Sequence, residues 1–131
     1  MKILRNADQP SGVGPATTFT GPVRIDQYFE VEAPGRTGSA IVTFSPGART
    51  AWHSHPAGQL LYILTGLGWV QKEGEPKQQV QAGDTVWFAP DERHWHGASE
   101  TKAMSHVAIA ERVDGRSTDW FEHVPDADYL G

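Results

Sequence analysis

Six histidines occur in this chain, and five of them fall between positions 53 and 106. His53 and His55 are separated by one residue, as are His94 and His96. On a β-strand that spacing puts both imidazoles of a pair on the same face, close enough to reach one ion. Gln59 follows His55 after a Pro56-Ala57-Gly58 turn that can swing the next strand back beside the pair, and a Pro90-Asp91 turn precedes His94. Imidazole suits manganese, iron, nickel, copper and zinc, and a neutral amide oxygen can fill a further position. One HxH pair alone says little, because most histidines are surface residues or satisfied core groups. Two such pairs in glycine-punctuated strands make metal binding the stronger reading.

The segments that must position these side chains are short. Fourteen glycines and nine prolines divide the chain into runs that leave little room for a long helix. Short strands separated by turn signals point to an all-β sandwich or barrel. The expected strands are Val23 to Val31, Ser39 to Phe44, Gln59 to Leu64, Gly68 to Lys72, Gln78 to Val80, Thr85 to Phe88 and Ala103 to Ala110. Thr65-Gly66 is expected to end the strand that starts at Gln59. Asp114-Gly115 reads as a hairpin turn with positive φ at both residues. A last strand is expected over Thr118 to Val124, and a helical turn over Asp126 to Leu130.

Composition narrows the function classes. The 131 residues suit a single domain, with no linker or repeat. No cysteine is present, which excludes a disulfide scaffold, a thiolate metal site and a cysteine nucleophile. The net charge of −5 and the scattered basic residues argue against nucleic acid or an anionic membrane as partner. No apolar run approaches the roughly 20 residues that span a bilayer. The N-terminus does not read as a signal peptide, so the expected location is cytoplasmic.

The pattern around the histidines resembles the cupin superfamily. Its first motif runs through a glycine, an HxH pair, an acidic residue and a second glycine, and Gly47, His53-Ser54-His55, Gln59 and Gly66 match at every spacing. Its second motif begins with Gly83-Asp84, passes Pro90 and reaches His94. The resemblance implies a single-domain cupin over residues 1–131, a double-stranded β-helix or jelly-roll barrel, with motifs at 47–66 and 83–98. Departures from the common pattern are Gln59 in place of glutamate, Ala89 and Asp91 in place of proline and glycine, and Ala98 in place of asparagine.

The runs GARTAWHSHPAGQLLYILTGLGWVQ, GDTVWFAPDERHWHGA and AMSHVAIAERVDG are similar to the small bacterial cupins that act as manganese-dependent hydroxynitrile lyases. That resemblance implies one divalent transition metal per chain, held by His53, His55, Gln59 and His94. Mn(II) is the expected ion, with Fe(II), Ni(II) and Zn(II) as alternatives. Neutral ligands leave the ion its full charge as a Lewis acid, and leave the site without an anionic base.

His106 is the candidate base. It lies on AMSHVAIA, where small Ala108 and Ala110 share its face and suggest an open pocket. By the same alternation Ala40 and Val42 are candidate walls, and His96 shares parity with His94. The alternative for both histidines is a hydrogen-bonded barrel residue without a chemical role. The expected reaction is cleavage or formation of a cyanohydrin. The other readings are an Fe(II) dioxygenase acting on a diketone or phenolic substrate, and a non-catalytic binding module. The resemblance also implies a homodimer or homotetramer, with residues 22–31 available for strand exchange. His123 is expected at the surface, and the five tryptophans are expected to be core and interface filler.

Overall fold

The computed structural model describes residues 1–131 and is almost entirely β. After a 3-10 turn at Asn6–Asp8 come β1 (Gly12–Val13), β2 (Phe19–Thr20), β3 (Val23–Glu30) and β4 (Thr37–Phe44). Then follow β5 (Arg49–Thr50), β6 (His53–Ser54), β7 (Gln59–Lys72), β8 (Gln78–Gln81) and β9 (Thr85–Phe88). The chain ends with β10 (His94–Ala98), β11 (Met104–Glu111), β12 (Asp119–Trp120) and α1 (Asp126–Leu130). All pairings are antiparallel, in the order β1-β3-β4-β11-β7-β10-β5-β2. Neighbours in this order are mostly distant in sequence, which is the mark of the expected jelly-roll arrangement.

The strand β7 joins the two layers. Its first half pairs with β11 and β9, and its second half pairs with β10 and β8. The expectation of two strands meeting at a Thr65-Gly66 turn is therefore corrected to one 14-residue strand that bends there. Gly66 has φ +81, and a Cβ on it would sit 1.8 Å from the Ala103 carbonyl oxygen. Glycine both adopts the left-handed conformation and admits the passing backbone, so the chain bends while its pairing with β11 continues past one register shift at Leu64. Gly58 has φ +82 in the turn that delivers Gln59, where a Cβ would meet the Trp87 ring at 2.4 Å.

Other boundaries shift by a residue or two, as strand ends do. The last expected strand shrinks to Asp119–Trp120, paired with β6, while the backbone of Phe121 and Glu122 bonds only to that of Trp52 beyond its end. The hairpin turn is present, with Asp114 at φ 53, Gly115 at φ 78 and a bridge between Val113 and Arg116. The helical turn at Asp126–Leu130 is also present.

The principal core lies between the two layers and contains Val23, Val42, Phe44, Leu61, Ile63, Val70, Val80, Phe88 and Met104. A second cluster of Trp95, Val124 and Tyr129 pins the C-terminal segment to the outside of β10. Buried Arg49 donates to the Val124 carbonyl at 2.6 Å and pairs with Asp126 at 2.8 Å. The Tyr129 hydroxyl donates to the Ala98 carbonyl at 2.6 Å. These bonds tie residues 124–129 to β5 and β10. No helix is long and apolar enough to cross a membrane.

Candidate active site

Beside the packed core, and sharing Val42 and Phe44 with it, an apolar-walled chamber of about 170 Å³ is lined by four of the six histidines. Val42, Phe44, Ile25 and Ala40 form one wall, and Ala108, Phe19 and Trp120 complete it. His53, His55, Gln59, His96 and His106 line its floor, and all five are buried. His94 lies just behind, fully buried, with its ring stacked on Phe88 at 3.6 Å between centroids.

Three imidazoles are oriented in the same way. His53 Nδ1 lies 2.9 Å from the Ala51 carbonyl, His55 Nδ1 2.8 Å from that of Ser117, and His94 Nδ1 2.8 Å from that of Glu92. A carbonyl oxygen only accepts, so each Nδ1 carries the proton and each Nε2 presents a lone pair. The Gln59 amide lies against all three rings, with its Oε1 3.3 Å from His94 Nε2. An unprotonated nitrogen facing a carbonyl-type oxygen puts two acceptors together, and a cation satisfies both. His55 Nε2 is also buried with no hydrogen-bond partner. The donor set of imidazole nitrogens and one amide oxygen, each ring fixed by a backbone carbonyl, fits a divalent transition metal.

The tightest grouping of histidine nitrogens is His53, His94 and His96, which lie within 4.8 Å of one another. His96 differs from the other rings in its outer partner. Its Nδ1 meets His106 Nε2 at 3.0 Å, so two imidazoles bond to each other and neither tautomer is pinned by backbone. His96 Nε2 and His106 Nδ1 are both buried without partners.

Burial dominates the electrostatics. It holds His94 at about 3 and His106 at about 4, and pushes His53 and His96 well below the ordinary imidazole value. Neighbouring imidazoles lower His53 and His96 further, and burial lowers His55 as well. At neutral pH all five rings are uncharged, the state in which imidazole binds metal or accepts a proton.

Of the residues singled out from sequence, Ala40, Val42, His96, His106 and Ala108 all border the chamber. Ala110 instead borders an outer mouth of about 120 Å³, which shares Tyr28, Ala40, His55, Gln59, Ala108 and Thr118 with the chamber. His123 is exposed, as expected. Sequence reasoning missed Trp120 and Thr118. The Trp120 ring lies 4.7 Å from that of His53, and Thr118 Oγ1 lies 3.3 Å from His55 Nδ1. No local signal marks them, since the C-terminal segment reaches the site only through long-range packing. Trp95, by contrast, is fully buried in the outer cluster and does not border the chamber.

Comparison with known proteins adds independent findings. Residues 40–110 match the family model described as a cupin domain. The chain is 54% identical over 129 residues to the (R)-mandelonitrile lyase of Granulicella tundricola, covering 98% of each chain. It superposes on a cupin-like protein from Thermotoga maritima with a TM-score of 0.85 and 33% identity, covering 92% of both chains. A predicted oxalate decarboxylase from the same organism superposes with a TM-score of 0.74 at 19% identity, covering 86% of this chain and 100% of that one, a likeness of fold alone.

Proposed function

The chain belongs to the cupin family, and from that premise we propose that it is a metal-dependent lyase that cleaves and forms aromatic cyanohydrins. The observation that carries this reading is full-length identity of 54% to a mandelonitrile lyase, combined with an apolar chamber whose floor is made of neutral imidazoles. The proposed ligands are His53, His55, Gln59 and His94. Their support is the shared orientation of the three rings, each with Nδ1 on a backbone carbonyl, around the Gln59 amide. Mn(II) is the proposed ion, in keeping with the lyases that the motifs resemble. When bound, it supplies Lewis acidity that makes a cyanohydrin hydroxyl more acidic.

The chain's own residues supply the rest. Val42, Phe44 and Ala108 offer an apolar surface for the aryl ring. His106 is the proposed base. Its Nδ1 has no partner and, being neutral, can accept the hydroxyl proton. As the O–H bond breaks, the oxygen's electron pair forms the carbonyl and the C–CN bond releases cyanide. The imidazolium then returns the proton to cyanide, giving HCN and the aldehyde. Burial that depresses His106 also makes its protonated form a strong acid, which favours that second transfer. His96, 3.0 Å away, orients His106 and shares its proton.

The test is HCN release from racemic mandelonitrile by protein reconstituted separately with Mn(II) and Fe(II). Metal-dependent release that disappears in His53→Ala supports the reading. In His106→Ala, metal content should be retained while kcat falls by about 10²-fold or more. Release no higher than the metal-free background would overturn the lyase reading, and oxygen consumption by the iron form would then favour a dioxygenase.

The proposed assembly is a homodimer or larger homo-oligomer. Its support is an apolar outer face of the sheet where Tyr62, Leu64 and Trp87 are all exposed. In the ladder Val107 lies between Ile41 and Tyr62, which widens that face across three strands.

A further inference from the structure

The strand β3 carries a defect beside the chamber. Along it Asp26 pairs with Ile41, but Phe29 pairs with Ser39, so Gln27 and Tyr28 together oppose the single residue Ala40. Gln27 accommodates the extra residue by taking φ 54, a left-handed conformation that a glutamine enters only at a cost. The bulge has a consequence for facing. Val23 and Ile25 point inward, to the core and the chamber. Strict alternation would then send Gln27 inward and Tyr28 outward. Instead Gln27 lies on the outer side, donating to the Leu4 carbonyl at 3.2 Å, and Tyr28 borders both the chamber and its mouth.

Tyr28 is held there by a polar latch. Its hydroxyl donates to Glu30 Oε1 at 2.5 Å, and Glu30 Oε2 pairs with Arg112 Nη1 at 3.1 Å. Arg112 is in turn anchored to the Val31 carbonyl at 2.9 Å. Tyr28 is nevertheless 66% exposed, and the bulge rather than the latch decides which side its ring faces. A strained backbone that replaces an amide by a tethered aromatic ring at the neck of a cavity points to a role for that ring.

We propose that Tyr28 is a specificity-determining residue: its ring is the partition between chamber and mouth, and it sets the size of the aromatic group that the chamber accepts. The proposal rests on the reading of the chamber as a cyanohydrin site. Phenyl-sized groups fit beside the latched ring, whereas fused bicyclic groups must occupy the space it fills.

The experiment compares kcat/KM for phenyl and 2-naphthyl cyanohydrins in wild type, Tyr28→Ala and Tyr28→Phe, each checked for metal content. Tyr28→Ala should raise the naphthyl-to-phenyl ratio by about 10-fold or more, the usual scale for a pocket wall. Tyr28→Phe keeps the ring and should leave the ratio within about 2-fold, since the effect is one of volume. An unchanged ratio in Tyr28→Ala, or an equal rise in Tyr28→Phe, overturns the proposal. A second readout does not depend on activity: calorimetric binding of benzaldehyde and 2-naphthaldehyde to the metal-free proteins, with the same shift in ratio expected. If wild type releases no HCN, the lyase reading fails while the calorimetric ratio still decides for or against Tyr28.

Discussion

Each imidazole on the chamber floor has one ring nitrogen committed to an outer partner, and the identity of that partner separates the rings into two groups. His53, His55 and His94 lean on backbone carbonyls, which never donate and therefore hold Nε2 free of a proton. His96 and His106 lean on each other, so the proton between them can reside on either ring. By nitrogen proximity alone His96 joins His53 and His94, whereas orientation and the Gln59 amide favour His55. We give more weight to orientation, because a ligand whose tautomer is pinned costs less to organise. Metal analysis of purified variants separates the two. His55→Ala should lose about 10-fold or more in metal affinity, while His96→Ala should keep its metal and lose turnover instead. The reverse result would exchange their roles.

At the scale of elements, the site exists because β7 serves both layers of the barrel. Its first residue is Gln59, and its bend at Gly66 lets the same strand pair with β10, which carries His94 and His96. Gly66 is thus a structural requirement of the site although it is not one of the candidate ligands. Gly66→Ala places a Cβ against the Ala103 carbonyl and forces a left-handed alanine. A loss of more than about 3 kcal/mol in urea unfolding is expected, if the variant folds at all. A milder loss would mean that β11 can withdraw. The short β12 works in the same way from the other side. Paired with β6, it lays Trp120 over His53 and brings the Ser117 carbonyl to His55, so a segment with little secondary structure fixes two candidate ligands.

For the molecule as a whole, burying five neutral histidines couples stability to pH. An unfolded imidazole takes up a proton near 6.5. In the folded metal-free protein His106 does so only at about 4 and His94 at about 3. Between those values the unfolded chain binds more protons, so stability is complete above about 6.5 and falls as pH drops. Each such group contributes a slope of about 1.4 kcal/mol per pH unit within its window. Urea unfolding of metal-free protein at pH 7 and pH 5 should show a marked loss at the lower pH, and equal stabilities would mean that the rings are solvated. The outer face bears on the proposed assembly: Tyr62→Lys puts a charge into the apolar patch and should convert the proposed oligomer to monomer by light scattering. A wild-type mass of one chain would overturn the proposed assembly, and an oligomeric mass unaffected by the substitution would move it to another surface.

What the sequence by itself determined is local chemistry and periodicity. HxH spacing, glycine punctuation and the two motifs sufficed for an all-β barrel, for the histidines that meet in its interior and for the small walls at Ala40, Val42 and Ala108. These features depend on residues close in the chain, where alternation decides which face a side chain joins. Only the tertiary structure decided what crosses the site. The β7 bend reads as a strand end, because a glycine signals a turn equally well when the ladder continues through it. The bulge at Gln27 inverts facing for Tyr28 and Glu30 without any glycine or proline to announce it. Trp120 and Thr118 reach the site through contacts between segments far apart in sequence, and the His96–His106 pair depends on the distance between two strands that do not pair with each other, which no local pattern encodes.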